Sequence, residues 1–480
     1  MKKQSAKKNY IYNVLYQILI IIIPIITTPY LARTLGVNCN GIYGYTVSIV
    51  TYFILFGSMG ISLYGQREIA YNQNSKKKAS KVFWELLFLK TITLLISLII
   101  YFLFFAIKGI YSIYFRILII ELVGNILDIS WLYQGYEDFK TLVIRNIIIK
   151  MISLICIFVF IKNAGDTWKY VLIHSLSIFI ANGALWFALK RYIEKPNFKN
   201  VDLLCHIKPA ILLFIPQVAI QVYAVLDKTM IGAITHSMQE VGYYEQSQKI
   251  LKLLLSIITA LGTVMLPRVA ASFAEGNHKK IKNYIIKSMQ FSFFLSLPVT
   301  AGIALVSNNF IPLFLGNGYD KAKIIFPLMS PIILFISLSS ITGNQYLLPV
   351  KRQKEYTISV LIGAFINALL NFILIKHYQS LGACIATIVA ELCVTITQLY
   401  FIRKEFAIKE ILLLAKNYFI ATIIMFAITY QIQLLRLSGF ITISLQVILG
   451  VTIYGLILIL LRDKLVYEII DDIKRVVKKK

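Results

Sequence analysis

What most constrains this chain is an apolar run that keeps returning. Stretches of 18 or more residues with few charges recur about fourteen times along the 480 residues. Each is long enough to cross a bilayer as an α-helix, because a span takes roughly 20 residues. Such runs fill more than half the chain, and 58% of all residues are hydrophobic. A soluble domain has about 45 to 50% apolar residues. The runs do not alternate with a period of two, which argues against a transmembrane barrel. The first run, residues 10–32, is too long for a leader and lacks a small-residue cleavage site, so a retained helix is expected. The predicted class is an all-α membrane protein.

The net charge of +27 raises the question of nucleic acid. The placement of the charge answers it. Lysine and arginine collect in alternate loops, at 2–8, 67–81, 190–208, 268–287, 351–354, 403–416 and 462–480. The intervening loops, such as 34–42 and 233–241, carry few or none. That is the positive-inside pattern. It predicts a multi-pass plasma-membrane protein with an even number of spans, both termini cytoplasmic and no nucleic-acid partner. The basic tails suit the anionic inner leaflet, so membrane lipids are expected neighbours. The five cysteines are dispersed without a CxxC pair, and the five histidines form no HxxxH or HExxH. No metal site, disulfide framework or cofactor is predicted.

Residues 215–268 hold charges that a spanning segment does not readily tolerate. Glu245, Lys249, Lys252, Ser256, Thr259 and Thr263 fall at alternating steps of four and three. On a helix that spacing draws one polar stripe along an otherwise apolar surface. Gln217, Gln221, Ala224 and Lys228 draw a similar stripe on the preceding run, beside Asp227. An ionisable group at the centre of a span costs about 2.5 to 3.5 kcal/mol, so it normally faces a protein interior or a wet cavity. The two runs are therefore expected to line a charged, water-filled cavity.

Along the chain, the first span contains Pro24 and Pro29 and is a candidate for bending. The third carries Glu85 and Lys90, and the fourth carries Glu121, Asn125 and Asp128 on one face. Residues 190–207 form the longest polar, proline-containing break of the first half. The second half then repeats features of the first. LGVNCNGIYGY at 35–45 is echoed by IGAITHSMQEVGYY at 231–244, and YGQREIA at 64–70 by LPRVAA at 266–271, which sets Arg67 opposite Arg268. The predicted domains are an N-terminal six-helix lobe at 1–195, a pseudo-symmetric six-helix lobe at 196–410, and a C-terminal helix pair with a basic cytoplasmic tail at 411–480. Parallel repeats of this kind occur in transporters.

Three ordered segments also carry a family resemblance. IPIITTPYLARTLGVNCNGIYGYTVSIVTYFILFGSMGISLYGQREIA at 23–70, VYAVLDKTMIG with EVGYYEQSQKI and VMLPR within 222–268, and GNQYLLPVKRQKEYTISVLIGAFINALLNFILI with LGACIATIVAE within 343–391 resemble bacterial polysaccharide flippases of the MOP superfamily. The superfamily includes MATE drug exporters and lipid II flippases. The resemblance implies a MATE-like fold of fourteen helices in two lobes, and alternating access. It also implies a substrate, an undecaprenyl-pyrophosphate-linked oligosaccharide repeat unit moved outward during capsule or surface-polysaccharide assembly. A polysaccharide polymerase and glycosyltransferases are the implied partners.

A flippase must carry sugar and pyrophosphate through a region hostile to charge, which calls for cations in a polar cavity. Arg33, Lys228, Lys249 and Lys252 are the candidate substrate contacts, and Arg67 and Arg268 the candidate gate. Lys249 and Lys252 should lie roughly 8 to 12 Å below the outer end of their span. Asp227, Glu245, Glu121, Asp128 and Glu391 are candidates for coupling to a proton or sodium ion. Blander roles compete: snorkelling for Arg33 and Lys228, positive-inside anchoring for Arg67 and Arg268, and i,i+4 pairing with Lys249 for Glu245. Other cargoes of the same superfamily, lipid II or cationic drugs, are the alternative reading. The lysine stripe leans against a cationic drug. A membrane polymerase is a weaker alternative, since no nucleophile–base constellation, metal-ligand spacing or GxxxxGK[ST] loop is present and no enzymatic activity is expected.

Overall fold

The structure is a computed structural model that describes residues 6–196, 202–435 and 437–478. Among these residues the regular structure is helical throughout, with no strand. Ten helical segments among the described residues are long and apolar enough to cross a membrane. The first of them, Ile21–Asn72, is long enough to hold two spans. The other expected spans are less plain by length and composition. α4 (Ser112–Ile126) has 15 residues, and α9 (Met238–Thr259) carries Glu240, Glu245, Lys249 and Lys252.

α1 (Ala6–Ser58) shows how local chemistry shapes the fold. The expected outer loop at 34–42 shrinks to one non-helical residue, Gly36, at φ 76° and ψ 174°. That backbone is open to glycine and costly for other residues. Pro24 and Pro29 sit inside helical turns, so the sharp break is at the glycine and not at the prolines. The fourth predicted span is also interrupted: α4 ends at Ile126 and α5 (Ser130–Gly135) follows a short bend.

The chain divides into two compact units, one ending at Gly242 and one beginning at Tyr243. The division falls after α8 (Leu204–Thr235) because that helix packs on α1 and α2 (Ile61–Asn72). In the first unit, α3 (Lys76–Tyr101) lies on α1 and α2, and α4 lies on α7 (Thr167–Ala184). At one end of this unit Trp131, Tyr133, Phe83 and Ile69 form a fully buried core. Asp138 caps α6 (Phe139–Phe160) by accepting from the Thr141 amide at 3.3 Å. It also accepts from the Tyr192 hydroxyl at 2.6 Å. Burial, reinforced by that carboxylate, pushes the Tyr192 phenol above its ordinary pKa, so it remains a donor.

In the second unit α11 (His278–Leu315) is the central post, with α10 (Leu261–Ala274), α13 (Pro331–Ser339), α16 (Ile408–Tyr430) and α17 (Gly439–Leu460) against it. α14 (Gln353–Tyr378) and α15 (Ser380–Ile402) make the most extensive helix pair. Their seam is polar. Across it Asn367 donates to Thr387 at 3.4 Å and Gln398 to Ser359 at 3.0 Å, and within α14 Asn371 donates to Asn367 at 3.0 Å. Lipid is as apolar as leucine, so side-chain hydrogen bonds and close packing hold membrane helices together. The outward faces are apolar, as at Phe365, Phe372 and Ile396.

Candidate functional site

The residues singled out from the sequence fall in both units. In the first unit, Arg33 is exposed on α1, one turn before the Gly36 break. Lys228 is half-buried on α8, and its neighbour Asp227 is 2% exposed. The two helices are tied beside them by a 2.8 Å hydrogen bond between the Ser48 and Thr229 hydroxyls. Arg67 lies on α2 at the far end of the unit, with its guanidinium 5.2 Å from the Tyr64 ring and 3.2 Å from Glu68.

The carboxylates of this unit are paired across helices. Glu121 on α4 is buried, and its Oε2 lies 3.6 Å from His174 Nε2 on α7. The other nitrogen of that ring lies 3.3 Å from the Tyr43 hydroxyl on α1. Asp128, just beyond α4, is 3.5 Å from the Lys90 ammonium on α3, which also donates to the Asp128 carbonyl at 2.8 Å. Lys90 has a side chain only 1% exposed, so its charge depends on that partner.

The second unit carries the stripe of α9. Glu245 is buried at 5% exposure, and Lys249, one turn on, reaches it at 3.3 Å. Lys252 is exposed and donates to Gln248 at 3.2 Å. Ser256 and Thr259 are half-buried and return their hydroxyls to helix carbonyls at 2.7 and 3.0 Å. The side chain of Thr263 lies outside the described residues. The opposite face of α9 is packed, with Tyr244 and Ser247 at 0% and Ile250 at 5% exposure. Past the buried Glu245, the stripe is half-buried to exposed from Lys249 to Thr259, while the face of Tyr244, Ser247 and Ile250 is sealed. Arg268 is exposed on α10, and Glu391 is buried on α15.

Two clusters escaped sequence reasoning. His206 joins Glu85 at 3.1 Å and the Tyr64 hydroxyl at 3.0 Å, all three buried in the first unit. Glu85 also accepts from the Asp202 amide at 2.9 Å, which fastens the start of α8 to α3. The Lys90–Asp128 pair joins residues 38 apart in sequence, too far for helical periodicity to reveal. The only signal in the sequence is a lone lysine in the middle of one apolar run and a lone aspartate ending the next.

Chemically, the arrangement offers cations on the open side of one charged helix and carboxylates held inside the protein. Among the described residues no three histidine, cysteine or acidic groups lie close enough to hold a metal ion. Comparison with known proteins bears on the family and the fold. The family model described as "Polysaccharide biosynthesis protein" matches residues 6–273, and the model described as "Lipid II flippase MurJ" matches residues 184–450. A relative in Escherichia coli (strain K12), named "Putative O-antigen transporter", is 26% identical over 411 residues, covering 84% of this chain and 98% of its own length. Among solved structures, the inward closed conformation of lipid II flippase MurJ superposes with a TM-score of 0.76 at 17% identity, covering 95% of this chain and 99% of that one. An inward-facing multidrug MATE transporter of the MOP superfamily superposes with a TM-score of 0.65 at 15% identity, covering 83% and 99%. At such identities these two likenesses concern the fold.

Proposed function

Because the chain belongs to the polysaccharide biosynthesis protein family of the MOP superfamily, we propose that it is a flippase for lipid-linked oligosaccharides. Its cargo is a repeat unit on an undecaprenyl-pyrophosphate carrier, carried across the bacterial plasma membrane by alternating access for surface-polysaccharide assembly. The observation that carries this reading is the stripe of α9, where Lys249 and Lys252 stand on the open side of a helix packed on its other face. Cations so placed can hold phosphate oxygens by charge-assisted hydrogen bonds while the lipid tail stays in the bilayer. The likeness to a named O-antigen transporter over nearly its whole length supports the cargo class.

The other elements of the reading follow from this. Arg33 and Lys228 are the substrate-contact cations of the first unit, and Arg67 and Arg268 are the gate residues of the first and the second unit. The loops rich in lysine and arginine face the cytoplasm, as do both termini. The repeat runs 1–195 and 196–410, with 411–480 as an added pair and tail. Asp227, Glu245, Glu121, Asp128 and Glu391 are the candidates for ion coupling. Glu121 is the foremost of them, since the group beside it is a histidine rather than a permanent cation. The protein performs no covalent chemistry, and it delivers its cargo from glycosyltransferases to a polymerase.

The test is a strain lacking the chain. Lipid-linked repeat units should accumulate on the inner leaflet, and the Lys249→Gln/Lys252→Gln double variant should fail to restore export. Single repeat units displayed outside would instead identify a polymerase. An imposed proton or sodium gradient across proteoliposomes tests coupling; transport indifferent to both removes that role from the five carboxylates.

A further inference from the structure

The second unit contains a cavity that the transport reading does not use. It has a volume of about 600 Å³ and lies where the end of α10, the first turns of α11, the π-helical turn Ser340–Leu347 and the turn after α15 converge. That size is within the usual range for small-molecule sites, about 300 to 1,000 Å³. Its floor is apolar and aromatic, formed by Phe273, Tyr346 and Phe406. Its rim carries Lys279, Lys282 and Arg352, with His278 and one carboxylate, Glu405, which Arg352 holds.

These cations have different roles. Arg352 is fixed: its guanidinium donates to Glu355 at 2.9 Å, to Glu405 at 3.0 Å and to the Phe401 carbonyl at 3.0 Å. It is part of the wall. Lys282 leans on the exposed Glu410 at 3.0 Å, a pair that water screens and a stronger anion can displace. Lys279 is exposed, and among the described residues no ion pair reaches it. Both lysines stand in the first turns of a 38-residue helix, whose N-terminal dipole adds positive potential at the same place. Asn277 caps the Lys280 amide at 3.0 Å and fixes that turn.

We propose that this cavity binds a phosphate ester, with the phosphate between Lys279 and Lys282 and its apolar neighbour on the aromatic floor. The inference rests on the orientation given above, which places this basic end at the cytoplasmic leaflet, where anionic lipids concentrate. Two sources share this chemistry: the headgroup of an anionic phospholipid, and a soluble phosphomonoester.

The test uses the full chain purified in a neutral detergent. Binding of dioleoyl phosphatidylglycerol, glycerol 3-phosphate and dioleoyl phosphatidylcholine is measured separately by calorimetry or native mass spectrometry. Binding of the first identifies the lipid source, and binding of the second identifies the soluble one. Each lysine removed as Lys279→Gln or Lys282→Gln should weaken binding about fivefold, and the pair about 25-fold. Lys280→Gln makes the same charge change on the same turn outside the cavity, and should change binding less than about twofold. The inference is overturned if neither phosphate binds, if phosphatidylcholine binds as well as phosphatidylglycerol, or if Lys280→Gln matches the cavity variants. The readout is binding, not translocation, so a negative result would leave the flippase reading standing.

Discussion

The carboxylates of the first unit and the stripe of the second solve one problem in opposite ways. Both place charge in helices rich in apolar residues. In the first unit the partners lie on different helices: Lys90 of α3 holds Asp128, and His174 of α7 meets Glu121 of α4. The Lys90–Asp128 pair fastens α3 to the end of α4, and neither of its partners can leave cheaply. On α9 the partners lie on one helix, Glu245 with Lys249 and Gln248 with Lys252. A pair within one turn does not itself tie two helices together. The difference separates charge that ties one helix to another from charge paired along a single helix.

The sharpest way to break this comparison is to remove Lys90. Lys90→Met strands Asp128 without its cation, and loss of one partner of a buried pair costs about 3 to 5 kcal/mol. Thermal unfolding of the purified variant should fall far below that of the parent, whereas Lys249→Gln should leave it nearly unchanged. Equal losses would mean that the two kinds of pair are not different. Next in size is translocation by Lys249→Gln/Lys252→Gln. Charge-assisted hydrogen bonds contribute about 1.5 to 3 kcal/mol, so export should drop about tenfold or more while the fold persists.

The fold class is legible in the order of the amino acids, because about fourteen apolar runs with basic loops between them admit few other solutions. The stripe on α9 is legible too, since helical periodicity acts within one helix and needs no knowledge of packing. The cross-helix pairs are not. Glu121 and Asp128 stand out as costly residues, but their partners His174 and Lys90 come from other helices, and sequence spacing does not fix which helices meet. His206 is invisible for the same reason: Glu85 and Tyr64 reach it from 121 and 142 residues away. The glycines clustered around Gly36 suggest a loop, whereas one left-handed residue suffices to turn the chain.

Smaller effects refine the picture. Glu121→Gln keeps the shape of the side chain and removes its charge beside His174. It should shift stability by about 1 to 2 kcal/mol. In transport assays it should blunt the response to an ion gradient if that carboxylate couples. The smallest effect belongs to the polar seam of α14 and α15. Ser359→Ala removes the acceptor of Gln398 across the seam, and such bonds between membrane helices average about 0.6 kcal/mol. Unfolding in detergent should barely register it.

Inside the first unit, which extends to Gly242, one contact is made almost without side chains. A Cβ added at Gly41 would stand 1.6 Å from the Met238 carbonyl oxygen, and one at Gly242 would stand 2.1 Å from that of Val37. Backbone lies on backbone there, with α1 just past its break and α9 just beginning. A seam of this kind has no rotamers to reorder and no interlocking knobs to lift apart. The first turn of α9 is therefore seated on α1 closely but smoothly, like two planed surfaces, and any methyl group introduced there would act as a wedge.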